Sequence, residues 1–124
     1  MQPSRPKYLN LAKIKLPLPG FVSILHRISG AFLFLILPFL LYLFQASLGT
    51  PASFLEFKNV VDHIFVKIVL LVIAWAFLHH FCAGIRYLAL DMHVGTELSQ
   101  ARASSWVVLA ISLAITIVIA IALW

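Results

Sequence analysis

Three stretches without a single Asp, Glu, Lys or Arg, namely Ile28–Leu55, Ile68–Ile85 and Ala103–Trp124, constrain this chain more than any other feature. A helix needs about 20 predominantly apolar residues to cross a hydrocarbon core of roughly 30 Å, and each stretch can hold such a span. Apolar residues make up 63% of the 124 and charged ones 10%, against roughly half and a quarter in soluble domains. Lipid is therefore the expected solvent. The spacing predicts an all-α integral membrane protein with transmembrane helices over about 21–45, 63–90 and 104–123. Three helices enclose little interior of their own, so they are expected to form part of a heteromeric helical bundle.

The charges that remain are segregated. Arg5, Lys7, Lys13, Lys15 and Arg27 precede or open the first span, and Arg86 and Arg102 flank the connection between the second and third. Only Lys58 and Lys67 lie at the opposite ends. The positive-inside rule places the amino terminus and the 91–103 connection in the cytoplasm, or in the matrix of an organelle. A net charge of +5 does not imply nucleic acid here, because the basic residues border apolar spans instead of forming a stripe interleaved with aromatics. Pro3, Pro6, Pro17 and Pro19 deny regular structure to residues 1–20, which read as an extended cytoplasmic arm. A basic, proline-containing segment before the first apolar run, with no small-residue cleavage site after it, argues against a removable signal peptide. The segment 46–62 reads as the external connection, with a short interfacial turn near Phe54–Phe57. Pro38 is a kink site inside the first span, Trp106 and Trp124 suit the two interfaces, and the lone Cys82 reads as a small packing residue.

Polar side chains within a span are costly and face protein, cofactor or water, so the short set Ser23, His26, Arg27, His79, His80 and Arg86 is informative. No carboxylate lies within a span, which argues against a proton-coupled exporter of cations. Ser23 and Arg27 are four residues apart and share a helical face. A hydroxyl and a fixed cation suit a quinone, the one hydrogen-bonding a carbonyl and the other stabilising developing negative charge. The competing reading has Ser23 capping the helix start and Arg27 snorkelling to lipid phosphate.

His79 and His80 lie well below the headgroups, where a neutral imidazole can be an axial ligand of haem iron. Around His80 the residues at i−4, i+3 and i+4 are Ala76, Ala83 and Gly84, all small, whereas His79 has Trp75, Cys82 and Ala83. His80 is therefore the preferred ligand, with His79 on an adjacent face hydrogen-bonded to helix partners. The alternative for either is an interhelical hydrogen bond with no haem. No second histidine of this chain is placed to reach the opposite side of an iron, so six-coordination would require another subunit.

The elements Ser23-Ile24-Leu25-His26-Arg27-Ile28-Ser29-Gly30 and His80-Phe81-Cys82-Ala83-Gly84-Ile85-Arg86-Tyr87-Leu88-Ala89-Leu90-Asp91 resemble the two signatures of the cytochrome b subunit family of succinate dehydrogenase, the membrane anchors of respiratory complex II in its bacterial form. The resemblance implies a bundle with a second three-helix anchor subunit, with haem b between them and docking for the iron–sulfur and flavoprotein subunits. His80 matches the family's axial haem ligand, and Ser23 and Arg27 match its ubiquinone-site residues. His26 and Arg27 match positions near a haem propionate. Arg86 matches a basic position on the same side, read either as a further propionate neighbour or as structural, with helix-end snorkelling as the alternative. Tyr87 departs from the pattern, because many members carry histidine there. The implied function is ubiquinone reduction with electrons from succinate, in the bacterial inner membrane, by a chain not catalytic alone. The alternatives are a quinol:fumarate reductase anchor and a non-redox helical scaffold or small transporter.

Overall fold

The computed structural model describes Ser4, Lys13 and residues 15–124. Most of the arm expected over residues 1–20, including Arg5 and Lys7, lies outside the described residues. Among the described residues four helices follow one another: α1 (Leu18–Leu48), α2 (Pro51–Asp62), α3 (Ile64–Asp91) and α4 (Leu98–Leu123). Of these α1, α3 and α4 are long and apolar enough to cross a membrane, as expected from the charge-free runs.

The boundaries differ from the sequence expectation in three places. Helix α1 starts at Leu18, with Pro17 as N-cap and Pro19 in the first turn. Proline is suited to a helix start, because its missing N–H would be unpaired there in any case. Two of the prolines that argued for an extended arm, Pro17 and Pro19, therefore open the helix. The 46–62 connection is mostly the 12-residue α2 in place of a loop with a short turn. Thr50 caps it by accepting a hydrogen bond from the Ser53 backbone N–H at 3.2 Å, and Pro51 occupies its first turn. Its half-buried residues, Ser53, Phe57, Val60 and Val61, recur at helical spacing and face the long helices. Helix α4 begins at Leu98, six residues before the expected Ser104, so the return shrinks to residues 92–97. Polar residues such as Ser99, Gln100 and Arg102 extend a helix beyond its apolar part without interrupting it.

The return is shaped by how α3 stops. The Val94 N–H donates to the Ala89 carbonyl at 3.0 Å and the His93 N–H to the Leu90 carbonyl at 2.9 Å. With His93 at φ 59°, this is the Schellman pattern that closes a helix through one left-handed residue. Gly95, at φ 75°, then turns the chain toward α4.

The interior does not look like that of a soluble protein. Among the described residues eleven are buried, and five of these are polar: Ser29, His79, Arg86, Ser105 and Ser112. The outer faces carry residues such as Phe34 and Leu35, about three-quarters exposed at 77% and 75%. An apolar exterior around a small, partly polar interior is stable only where the surroundings are hydrocarbon. The helices close on a compact junction, where Val22 of α1, Ala83 of α3 and Val108 of α4 meet. Ala83 is fully buried there. Ala83→Leu should destabilise the packed helices by about 1–3 kcal/mol through overpacking, read as a lower thermal midpoint of the assembled complex; an unchanged midpoint would place the junction elsewhere.

Candidate functional site

Antiparallel packing brings the start of α1 against the end of α3. His26 lies against Tyr87, with ring centroids 5.1 Å apart, and against His80, at 4.2 Å with planes within 5° of parallel. The His80 Nδ1 is 3.0 Å from the His26 carbonyl oxygen and 3.4 Å from Ser29 Oγ. Ser29 Oγ donates to the same carbonyl at 2.9 Å. The His80 ring lies directly over Gly30, where a Cβ would stand 2.7 Å from its Cε1.

This pairing reassigns the small residues of α3. Ala76 and Ala83 are buried, Ala83 in the junction with α1 and α4, and so serve helix packing. A Cβ on Gly84 would meet His26 Nε2 at 3.8 Å, so Gly84 faces the His26 ring. Space for the His80 ring comes from Gly30, on another helix. Ser29 and Gly30 stand within the first signature but were given no role by sequence reasoning, because only the register of α1 on α3 reveals it.

His79 occupies the neighbouring face. It is fully buried and stacks on Trp75, with centroids 5.4 Å apart. Its ring faces the backbone of Val22 on α1, a partner on another helix as expected, although neither nitrogen makes a well-formed hydrogen bond among the described residues. His80 is thus held by polar contacts to α1 and left partly accessible, whereas His79 is enclosed by packing.

Ser23 is half-buried and Arg27 exposed on α1, one helical turn apart. Because α1 starts five residues earlier, at Leu18, Ser23 sits inside the helix and does not cap it. That removes the capping alternative. Arg27 has no hydrogen-bonding or ionic partner among the described residues.

Arg86 behaves differently from a snorkelling cation. It is only 7% exposed, its Nε donates to Ser104 Oγ at 2.8 Å, and its Nη2 donates to the Ala101 carbonyl at 3.3 Å. The guanidinium also lies 5.4 Å from the Tyr87 ring centroid, within cation–π range. It ties the end of α3 to the first turns of α4, a structural role that favours one of the readings left open above. Arg86→Met removes a charged donor from both acceptors and should cost about 1.5–3 kcal/mol, measured as a fall in thermal stability. Arg86→Lys should recover only part of it, since a single ammonium cannot reproduce the two-pronged fork. Equal stability of all three proteins would refute the tie.

One end of the bundle therefore gathers Ser23, His26, Arg27, Tyr87 and Arg86, with His80 a little deeper. The opposite end, among the described residues, holds the Tyr42–Glu56 hydrogen bond at 3.3 Å, the Lys67–Asp62 pair at 3.8 Å and the local capping and turn bonds of Ser47, Thr50, Ser53 and His63. The polar chemistry within the spans is thus concentrated at one membrane face.

Comparison with known proteins bears on this arrangement over its whole length. The chain is 31% identical over 125 residues to the succinate dehydrogenase cytochrome b556 subunit of Coxiella burnetii, covering all of both chains. It is 30% identical over 115 residues to that of Rickettsia felis, with 93% of this chain and 90% of the relative covered. The corresponding subunit of Paracoccus denitrificans is 31% identical over 114 residues, with 92% and 88% covered. The model of the succinate dehydrogenase/fumarate reductase transmembrane subunit matches residues 1–119, and the chain, an all-α multi-pass membrane protein, belongs to that family.

Proposed function

We propose that this chain is one half of the membrane anchor of a bacterial succinate:quinone oxidoreductase. In this reading it carries one axial ligand of a haem b and part of a ubiquinone reduction site, with its amino terminus on the cytoplasmic side of the inner membrane. The observation that carries the reading is His80: an imidazole at membrane depth, held through Nδ1 by α1, with no hydrogen bond on Nε2 among the described residues. A histidine in that state has the donor a haem iron takes. When bound, haem supplies one-electron redox chemistry and a fixed charge within the membrane.

His26 cannot be the second axial ligand. Ring-nitrogen lone pairs lie in the ring plane, and rings stacked face to face at 4.2 Å cannot point theirs at one iron from opposite sides. A second ligand would be supplied by a second membrane anchor subunit, a reading the sparse interior of three helices supports. His26 and Arg27, beside the His80 ring and on the exposed face of α1 respectively, are suited to accept the charge of haem propionates. Ser23 and Arg27 face outward on one side of α1, where a quinone would lie between this subunit and the iron–sulfur subunit. There Ser23 would hydrogen-bond a quinone carbonyl, and the Arg27 cation would favour negative charge on the quinone oxygen as electrons arrive. The flavoprotein subunit completes the complex, and succinate oxidation is the direction that matches the relatives' names.

Affinity purification of the chain from mild detergent tests the whole reading. A flavoprotein, an iron–sulfur protein and a second small membrane subunit should co-purify, with a b-type band in the reduced-minus-oxidised spectrum and succinate-driven ubiquinone reduction. Purification with no b-type band and no such partners would leave the non-redox scaffold as the surviving account.

A further inference from the structure

The contacts around His80 say more than that it could bind iron. Its Nδ1 lies 3.0 Å from the His26 carbonyl oxygen. A carbonyl only accepts, so Nδ1 must carry the ring proton and donate it. In the neutral ring the lone pair is then on Nε2, which no described residue engages. Ser29 Oγ spends its own proton on the same carbonyl, at 2.9 Å, and turns a lone pair toward Nδ1 at 3.4 Å. The carbonyl, with two lone pairs, can accept both donors.

Sterics fix what the hydrogen bonds orient. A Cβ at position 30 would stand 2.7 Å from His80 Cε1 and 3.2 Å from Nδ1, closer than side chains pack. The ring can occupy this place only above a glycine, and the His26 ring covers one of its faces at 4.2 Å. Metal-binding histidines are commonly fixed in tautomer and raised in basicity by an acceptor on the nitrogen away from the metal.

We propose that the His26 carbonyl, Ser29 and Gly30 form a cradle on α1 that holds His80 as its Nδ1–H tautomer and fixes Nε2 as the iron-binding nitrogen, with Ser29 as a positioning residue. This rests on the reading of His80 as a haem ligand. It adds that the ligand's electronic character is set by residues about fifty positions earlier in the chain. His79 has no comparable cradle, because neither of its nitrogens makes a well-formed hydrogen bond among the described residues.

The test uses membranes containing the whole complex, so that variants less stable in detergent are still read. Electron paramagnetic resonance of the ferric haem reports the orientation and donor strength of its axial imidazoles, and redox titration gives the midpoint potential. Ser29→Ala should keep the wild-type haem content while shifting both the g values and the potential, and Ser29→Thr, which restores the hydroxyl, should return them toward wild type. Gly30→Ala, whose methyl group meets the ring, should lower haem content or move the g values further than Ser29→Ala does. Wild-type g values and potential in both Ser29→Ala and Gly30→Ala would overturn the cradle. His80→Ala separates the two levels: a wild-type haem spectrum in that variant defeats the ligand reading itself, whatever the Ser29 variants show.

Discussion

Complexes carrying His80→Ala are expected to lose the b-type absorbance while those carrying His79→Ala retain it. The two histidines are adjacent on α3 and so differ by about 100° around the helix axis, which sends them into different environments. His80 reaches α1 and keeps one nitrogen free, whereas His79 is fully buried against Trp75. Haem content per complex should fall more than about tenfold for His80→Ala, since changes even to outer-shell partners of a metal ligand cost 10–100-fold in affinity. Removing the His79 ring instead leaves a cavity in the packed interior. Its effect should be a loss of about 2–5 kcal/mol of stability, the range for truncating a large buried side chain, read as a lower thermal midpoint with the spectrum unchanged. Haem loss in His79→Ala alone would reverse the assignment. The quantity to measure is pyridine haemochrome absorbance normalised to the amount of this chain in the membrane.

Arg27→Ala should lower succinate-driven ubiquinone turnover by about 10²-fold, the effect of removing one preorganised group from a site of developing negative charge. Arg27 is exposed and without a partner among the described residues, so its charge is available to a ligand, unlike that of Arg86. Ser23→Ala should have a smaller effect, because a hydroxyl contributes one neutral hydrogen bond worth about 0.5–1.5 kcal/mol. Arg27→Lys should fall between wild type and Arg27→Ala, keeping the charge and losing the planar fork. The haem spectrum has to be recorded beside each rate, so that lost cofactor is not read as lost quinone binding. Unchanged turnover and unchanged quinone affinity in assembled Ser23→Ala and Arg27→Ala complexes would remove the site from α1.

The spans were legible because charge is so costly in hydrocarbon that its absence marks a membrane helix directly. Helix α3 begins and ends within about a residue of expectation for this reason: His63 and Asp91 bound its apolar run. Where the apolar run and the helix differ in extent, the sequence misled. Leu98–Ala103 is helical but polar, and Leu18–Gly20 is helical behind Pro17. Helix α2 was hidden by mixed polarity, since an amphipathic helix at an interface carries neither a long apolar run nor a strand-like alternation.

The site divides similarly. His80 could be separated from His79 by local spacing, although for a reason the fold revises, because Ala76 and Ala83 line the helix seam. The contribution of Ser29 and Gly30 depends on how far α1 slides along α3, a tertiary quantity that no spacing within either segment encodes. Arg86 reads from sequence as a propionate neighbour or as structural, with snorkelling as the alternative, because its place near a helix end fits all three. Of its partners, Ser104 stands at the first residue of the expected helix, and Ala101 lies in the turn of α4 that the sequence reading leaves in the connection.

The buried hydroxyls of α4 have a consequence for how the chain is made. Ser105 donates to the Ala101 carbonyl at 2.8 Å, Ser112 to Leu109 at 3.1 Å and Thr116 to Ser112 at 2.8 Å, all within the same helix. These groups need no neighbour to meet their hydrogen-bonding needs, so the apolar part of α4 can enter the bilayer with its hydroxyls already satisfied. Insertion and packing are thereby uncoupled for this helix. The last span can wait in lipid while a partner subunit is still being synthesised, and the close approach that its serines permit becomes useful only when assembly begins.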